Sequence, residues 1–310
     1  MVSTAVPEGH SVHRIALQFE RDFVGHKVAV SSPQGRFASG AALIDGLTML
    51  ESTAVGKHMF LLFEHERWLR IHLGIYGAWD FFGQVSPLFD EGGAVGSIGA
   101  PRLRRAVHMA ETEYTRTLEL TEWPPEPVGQ VRVRLETENS LADLRGPMAC
   151  EVLDEAGVQA VLDRLGPDPL SDPGHDAEER FVAIVAKKPT PIGLLLMDQS
   201  VISGIGNVYR AEMLFRARLN PHTPGRLVPA EVVAALWQDW VHLLDLGVRS
   251  GQMLTMDDVD GDGHAKALAN VDDRHWVYKR EGLPCRVCAT NILLEVIGAR
   301  KLYWCPTCQK

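Results

Sequence analysis

The chain has 310 residues, 45% of them apolar, and a formal charge of −9. Its length and apolar content suit two or three buried cores and exclude a disordered chain, and no run approaches the ~18 uncharged apolar residues that a bilayer span needs. The acidic balance argues against a sequence-blind nucleic-acid coat but leaves room for a local basic groove.

The first six residues, MVSTAV, lack the basic-then-apolar build of a secretory signal, and the expected location is the cytoplasm. They precede a Pro-Glu pair, Pro7 and Glu8. Val12, Ile15, Ala16, Phe19 and Phe23 then recur at helical spacing, which predicts an amphipathic helix over 11–24 with Pro7 and Glu8 at its mouth. From about 27 to 136 the pattern turns to strands, among them 59–64, 68–73, 76–82 and the alternating 131–136. A β-sandwich or open barrel fits these. Residues 90–101 and 121–129, rich in Gly or Pro, read as loops.

Residues 165–174, LGPDPLSDPG, crowd helix breakers together and read as an interdomain linker. Helices are expected beyond it at 178–188, 192–199, 207–218 and 229–250, the last opened by Pro229 and closed by Gly251. Between two of them lies ISGIGNVYR, 202–210, whose glycines permit a tight turn. There Asn207 is expected to cap the next helix while backbone amides face an anion such as a DNA phosphate. Taken by itself, that stretch is better explained as a plain glycine turn with an Asn cap. The polar run 257–274 reads as a connector, because its faint calcium-loop look lacks the closing glutamate.

Four of the five cysteines fall at 285, 288, 305 and 308, and Cys150 stands apart as a small buried hydrophobe. Two Cys-x-x-Cys pairs separated by 289–304 are spaced to close a tetrahedral zinc site, whereas a cytoplasmic location disfavours two disulfides. With four protein thiolates the metal has no open position. One structural Zn2+ is therefore expected, holding a hairpin that includes 298–304.

Taken together, PEGH at 7–10, VGKHMF at 55–60, LMDQ at 196–199 with ISGIGNVYRAE at 202–212, and the four-cysteine finger resemble the formamidopyrimidine-DNA glycosylase and endonuclease VIII family. The likeness is closest to the actinobacterial type of its endonuclease VIII branch, and it spans almost the whole chain in the family's order. It implies an α+β multidomain protein: an N-terminal β-sandwich with flanking helices, a helix-two-turn-helix domain and a C-terminal four-cysteine zinc-finger hairpin. The domains expected are 1–6 as an extension outside the functional chain, 7–164 catalytic, 165–174 linker, 175–256 helix-two-turn-helix, 257–274 connector and 275–310 zinc finger. The implied partner is damaged DNA, duplex or single-stranded, held by a monomer that touches no membrane.

The resemblance also implies chemistry. An amine nucleophile must attack the sugar C1′ and form a Schiff base that acidifies the C2′ proton. A chain-terminal proline supplies a secondary amine that is about one-tenth neutral at pH 7, far more than an ordinary lysine. Glu8 would shuttle protons, Lys57 would help protonate the leaving base, and Arg300 would bind the phosphates flanking the lesion and assist the second elimination, with Lys301 adding to a basic tip. Asn207 would bind the same backbone.

Gly74, Ile75 and Tyr76 match the family's wedge loop, although a hairpin turn with two core residues accounts for them equally. Arg145 resembles the arginine that reads the orphaned base in the oxidised-purine enzyme, but Gly146 and Pro147 replace that enzyme's aromatic wedge. Tyr76 instead suits the endonuclease VIII branch, which favours oxidised pyrimidines. The activity implied is a bifunctional DNA glycosylase/AP lyase acting by β,δ-elimination.

That chemistry needs Pro7 to be the first residue, since an amide nitrogen is no nucleophile. Val6 is the residue a GUG start codon spells when read internally, so initiation there would free Pro7. A real extension would instead require cleavage or leave Lys57 as the candidate amine. Two other functions stay open: a clamp that binds damaged DNA without chemistry, and a zinc-ribbon scaffold for protein partners.

Overall fold

In the computed structural model, the first helical pattern becomes α1, Gly9–Asp22, with Glu8 as its N-cap residue. Residues 7–89, 105–109, 114–117, 123–172, 174–256, 266–267 and 270–310 are described, so the extension 1–6, the loop expected at 90–101 and the acidic run at 257–263 lie outside them. The helix differs from the expected one-faced helix in that every residue from Gly9 to Ala16 is buried, and only its second half shows a solvent side. Phe19 anchors it, with its ring 4.8 Å from Trp79 and 5.0 Å from Phe81.

The chain divides into two units, Met1–Asp163 and Arg164–Lys310. In the first, β1 (Ala29–Ser31), β8 (Val131–Glu136), β9 (Ser140–Arg145), β5 (Ala78–Gly83), β6 (Arg105–Met109) and β7 (Tyr114–Thr117) form one sheet in that order. A second sheet runs β10 (Ala149–Leu153), β4 (Arg67–His72), β3 (His58–Phe63) and β2 (Met49–Val55). All pairings are antiparallel. One apolar core takes Phe19 and Phe23 from α1, Leu61 and Ile71 from the smaller sheet, and Trp79, Phe81 and Leu144 from the larger. This is a β-sandwich, one of the two architectures the strand pattern allows.

The unit also carries two short helices, α2 (Ala38–Ile44), and α3 (Glu155–Leu162), which is capped by Asp154 Oδ1 accepting from Gly157 N at 2.8 Å. Val158 and Val161 of α3 cover Phe60 on the outer face of the smaller sheet. The strand expected at 76–82 begins only at Ala78, because Gly74 to Tyr76 form a turn.

In the second unit the first part of the breaker-rich segment, 166–169, is buried, while Leu170, Ser171 and Gly174 are exposed. Gly166 N donates to Gln199 O at 2.7 Å, Ser203 N to Pro167 O at 3.0 Å, and Ser203 Oγ to Gly166 O at 2.8 Å. A Cβ on Gly166 would lie 2.5 Å from the Val201 carbonyl carbon, so only glycine permits this approach. The helices that follow are α4 (His175–Val185), α5 (Ile192–Leu195), α6 (Asn207–Arg216) and α7 (Ala230–Ser250). The helix expected at 192–199 is a single turn that passes into the turns leading to the glycine loop. Helix α7 ends at Gly251 in the left-handed conformation, the stop its sequence signalled. A hairpin of β11 (Leu293–Ile297) and β12 (Arg300–Trp304) closes the chain, turning at Gly298 and Ala299. Among the described residues, no helix is long and apolar enough to cross a membrane.

Candidate functional site

Pro7 is buried, and Glu8, only 1% exposed, follows it at the head of α1. The Glu8 carbonyl accepts from Ser11 N at 3.1 Å and Ser11 Oγ at 2.9 Å, which leaves its carboxylate out of the helix cap. Lys57 occupies, with Gly56, the two-residue turn joining β2 to β3, because Val55 pairs directly with His58. His72, at the end of β4, feels both burial and the nearby cations of Lys57 and Arg70, which together pull its pKa down to about 4. It is therefore neutral at physiological pH.

Leu73 to Gly77 follow His72 and carry the wedge candidates. Ile75 is 42% and Tyr76 is 76% exposed, which excludes the alternative of two core residues on a hairpin turn. Gly74 has φ +68°, and a Cβ there would lie 2.8 Å from Met148 Cβ, so the loop rests against the turn after β9. Met148 is itself 71% exposed. Nothing in the sequence marks it out, because an isolated methionine beyond a Gly-Pro turn gives no periodic signal. Arg145 lies at the end of β9, but its guanidinium is engaged: it pairs with Asp80 and donates to Val128 O at 2.6 Å. Asp80 also accepts from His108 Nδ1 at 2.7 Å, and hydrogen bonds from His108 and Arg145 hold its carboxyl below the ordinary range against the opposing effect of burial.

In the second unit, Gln199 braces the glycine loop, its Nε2 donating to Ile205 O at 3.0 Å and its Oε1 accepting from Gly204 N at 3.0 Å. Asn207 does not cap α6. Gly206 holds the N-cap position and Asn207 is the first helical residue, with its Oδ1 accepting from Arg210 Nη2.

Arg210 is fully buried and also donates to Gly193 O at 3.3 Å and to Lys301 O at 2.8 Å, tying α6 to β12. Glu212, two residues on, is equally buried. Its carboxylate accepts from Thr255 Oγ1 at 2.6 Å and from the backbone amides of Trp276, Val277 and Tyr278 at 2.7, 2.9 and 2.8 Å. Both residues belong to the ISGIGNVYRAE motif, and only their burial reveals that they are structural anchors. Glu212→Gln should cost about 2–3 kcal/mol of stability, since an amide replaces one acceptor oxygen and leaves amides facing a donor. A fall in the thermal midpoint of the second unit would show it, and an unchanged midpoint would contradict it.

Arg300 and Lys301 are exposed beside the hairpin turn. Behind them Cys285 Sγ lies 3.9 Å from Cys308 Sγ and Cys288 Sγ 3.4 Å from Cys305 Sγ, and all four sulfurs fall within 4.8 Å of one another. A tetrahedral Zn–S bond of ~2.3 Å places sulfurs about 3.8 Å apart, so this set fits one zinc ion. All five cysteines are free thiols, which removes the disulfide alternative, and Cys150 is half-buried with burial pushing its thiol up to about 12.

Sequence models of the formamidopyrimidine-DNA glycosylase N-terminal domain, its H2TH domain and the zinc finger found in FPG and IleRS match residues 6–149, 165–258 and 282–310. Endonuclease 8 1 of Mycobacterium tuberculosis is 38% identical over 304 residues, covering 98% of this chain and 100% of that protein. The chain belongs to the formamidopyrimidine-DNA glycosylase and endonuclease VIII family. Members of this family are DNA glycosylases with AP lyase activity. The MutM (Fpg) protein of Thermus thermophilus superimposes with a TM-score of 0.67 at 25% identity, covering 98% of each chain. The Lactococcus lactis Fpg bound to DNA containing an abasic site shares the fold, with a TM-score of 0.68 at 16% identity over 98% of this chain and 99% of that one. The four cysteines of this family member form the site of one structural zinc ion.

Proposed function

We propose that the protein is a bifunctional DNA glycosylase/AP lyase of base excision repair that removes oxidised bases, pyrimidines in preference, using the amine of Pro7. The observation that carries this reading is the Pro7–Glu8 pair, buried at the head of α1 with a carboxylate that takes no part in capping the helix. A carboxylate held beside the amine is the group a base-excision step requires.

The Pro7 nitrogen lone pair forms a bond to C1′ while the C1′–base bond breaks. The electron pair of that bond leaves with the base, which takes a proton from Lys57. Glu8 takes the proton from the attached Pro7 nitrogen and gives it to the sugar ring oxygen as the C1′–O4′ bond breaks and the iminium forms. The iminium acidifies C2′–H, and its loss expels the 3′ phosphate; a second elimination expels the 5′ phosphate. Arg300 and Asn207 bind the flanking phosphates, contacts that position the strand without reading sequence. Ile75 and Tyr76, exposed on their glycine-hinged turn, fill the gap left by the extruded nucleotide, and the exposed aromatic favours the pyrimidine branch. Arg145 reaches an orphaned base only by releasing Asp80 and Val128. The partner is damaged DNA, and the working form is a cytoplasmic monomer whose first residue is Pro7.

Borohydride trapping tests the reading against a passive DNA clamp. Protein beginning at Pro7 should give a covalent adduct with lesion-containing DNA, and protein beginning at Met1 should give none. Absence of an adduct from the Pro7 form would leave DNA binding without chemistry. An equal adduct from both forms would move the nucleophile to Lys57.

A further inference from the structure

On the smaller sheet, Arg70 of β4 stands opposite Phe60 of β3 and Glu151 of β10. Its Nη1 pairs with Glu151 Oε1, and its Nε and Nη2 lie 3.2 and 3.0 Å from His58 Nδ1. A guanidinium has only donors, so His58 Nδ1 is the acceptor and the ring carries its proton on Nε2. Protonating Nδ1 would set an N–H against those of Arg70. His58 stands directly opposite His72, with ring centroids 4.7 Å apart. His58 follows Lys57 in the chain, and His72 leads into the wedge loop, so the two rings link the Lys57 turn to that loop.

Among the described residues, charged groups facing the pair include Lys57 at the β2–β3 turn, Arg70 on β4 and Glu151 on β10. The residues paired with the two histidines on the outer strands, Val55 on β2 and Ala149 on β10, carry no charge, and α3 presents Val158 and Val161 to Phe60. His72 Nδ1 is buried without a hydrogen-bond partner, which suits a neutral ring. Burial first, and the Lys57 and Arg70 cations after it, disfavour its charged form.

We propose that Arg70, anchored by Glu151, is a positioning residue that locks His58 in its neutral Nε2–H form and keeps the His58–His72 pair beside Lys57 uncharged. The Lys57 ammonium then meets two neutral rings instead of cations that would repel it from the leaving base. This deepens the proposed role of Lys57 and rests on it. The histidine charge would otherwise appear in the mildly acidic range, where an ordinary imidazole titrates.

Histidine-selective nitrogen NMR of the full zinc-loaded chain tests the device without reference to catalysis. His58 should show the Nε2–H tautomer and resist protonation on acidification. In Arg70→Met it should lose that tautomer preference and take up a proton more readily. An Nδ1–H tautomer in the unaltered chain would overturn the proposal.

Single-turnover base excision by the form active in trapping gives the second readout, taken as the ratio of variant to parent at each pH. For Arg70→Met the ratio should be near one at pH 8 and fall about tenfold by pH 5.5, as about nine-tenths of a free imidazole becomes charged. Arg70→Lys, which keeps a donor to Nδ1, should recover most of the loss, and adding His58→Asn to Arg70→Met should abolish the acid limb. A ratio lowered equally at every pH, or an acid limb that survives His58→Asn, would overturn the proposal. Failure of the underlying reading looks different: Lys57→Met would excise at the parent rate while the NMR result stood.

Discussion

Glu8→Gln is expected to abolish base excision while leaving lesion-DNA affinity within about threefold, a change under 1 kcal/mol. The substitution keeps the shape of a side chain that is 1% exposed and removes its charge and its ability to exchange a proton. Positioned acid–base groups contribute about 10²–10⁴ to a rate, so the single-turnover constant should fall by that factor. The helix should be unaffected, because Ser11 and Val12 bond to the Glu8 backbone carbonyl and no side-chain cap is removed. Equal losses in excision and binding would show that Glu8 is a structural residue.

The second large effect concerns the metal. Removing zinc with a chelator, or breaking the site with Cys305→Ser, should unfold the finger and lower DNA affinity on the order of 100-fold at moderate salt. Binding of a structural zinc is worth ~10–16 kcal/mol and in small metal domains is the folding energy itself. The finger's few apolar residues make it dependent on that energy. Cys285, Ile292, Tyr303 and Cys305 join Ala211, Phe215 and Val277 in one small cluster, with Trp276 stacked on Phe215 at 5.6 Å. Arg300 and Lys301 would lose their fixed place on β12, and the salt slope of binding should drop by about one for each phosphate they no longer neutralise. The first unit has its own core and should keep its resistance to proteolysis. Undiminished affinity in the metal-free chain would show that the hairpin tip does not touch DNA.

Much of the fold and site is legible in the sequence because the signals are local. The cysteine spacing announces the metal site, and Pro229 with Gly251 brackets α7 almost to the residue. The strand β9 escapes a pattern search because Ser140 to Leu144 are buried on both faces, so no alternation marks them. The 165–174 stretch reads as a tether from its prolines and glycines, yet Gly166 and Pro167 bond to Gln199 and Ser203, and composition cannot show that. Asn207 looks like the cap of α6, and a position one residue too far into the helix with an arginine three residues later changes its task. The exposure of Ile75 and Tyr76, which separates a wedge from a core turn, depends on the turn's orientation and not on its letters.

The anchoring of residues 276–278 on Glu212, with Arg210 holding the Lys301 carbonyl, bears on how far the C-terminal segment is portable. Excised as a peptide, 275–310 would keep all four thiols and still chelate metal, yet three backbone amides and a carbonyl would be parted from their counterparts on α6. Grafting the finger onto another scaffold therefore means transplanting that helix with it.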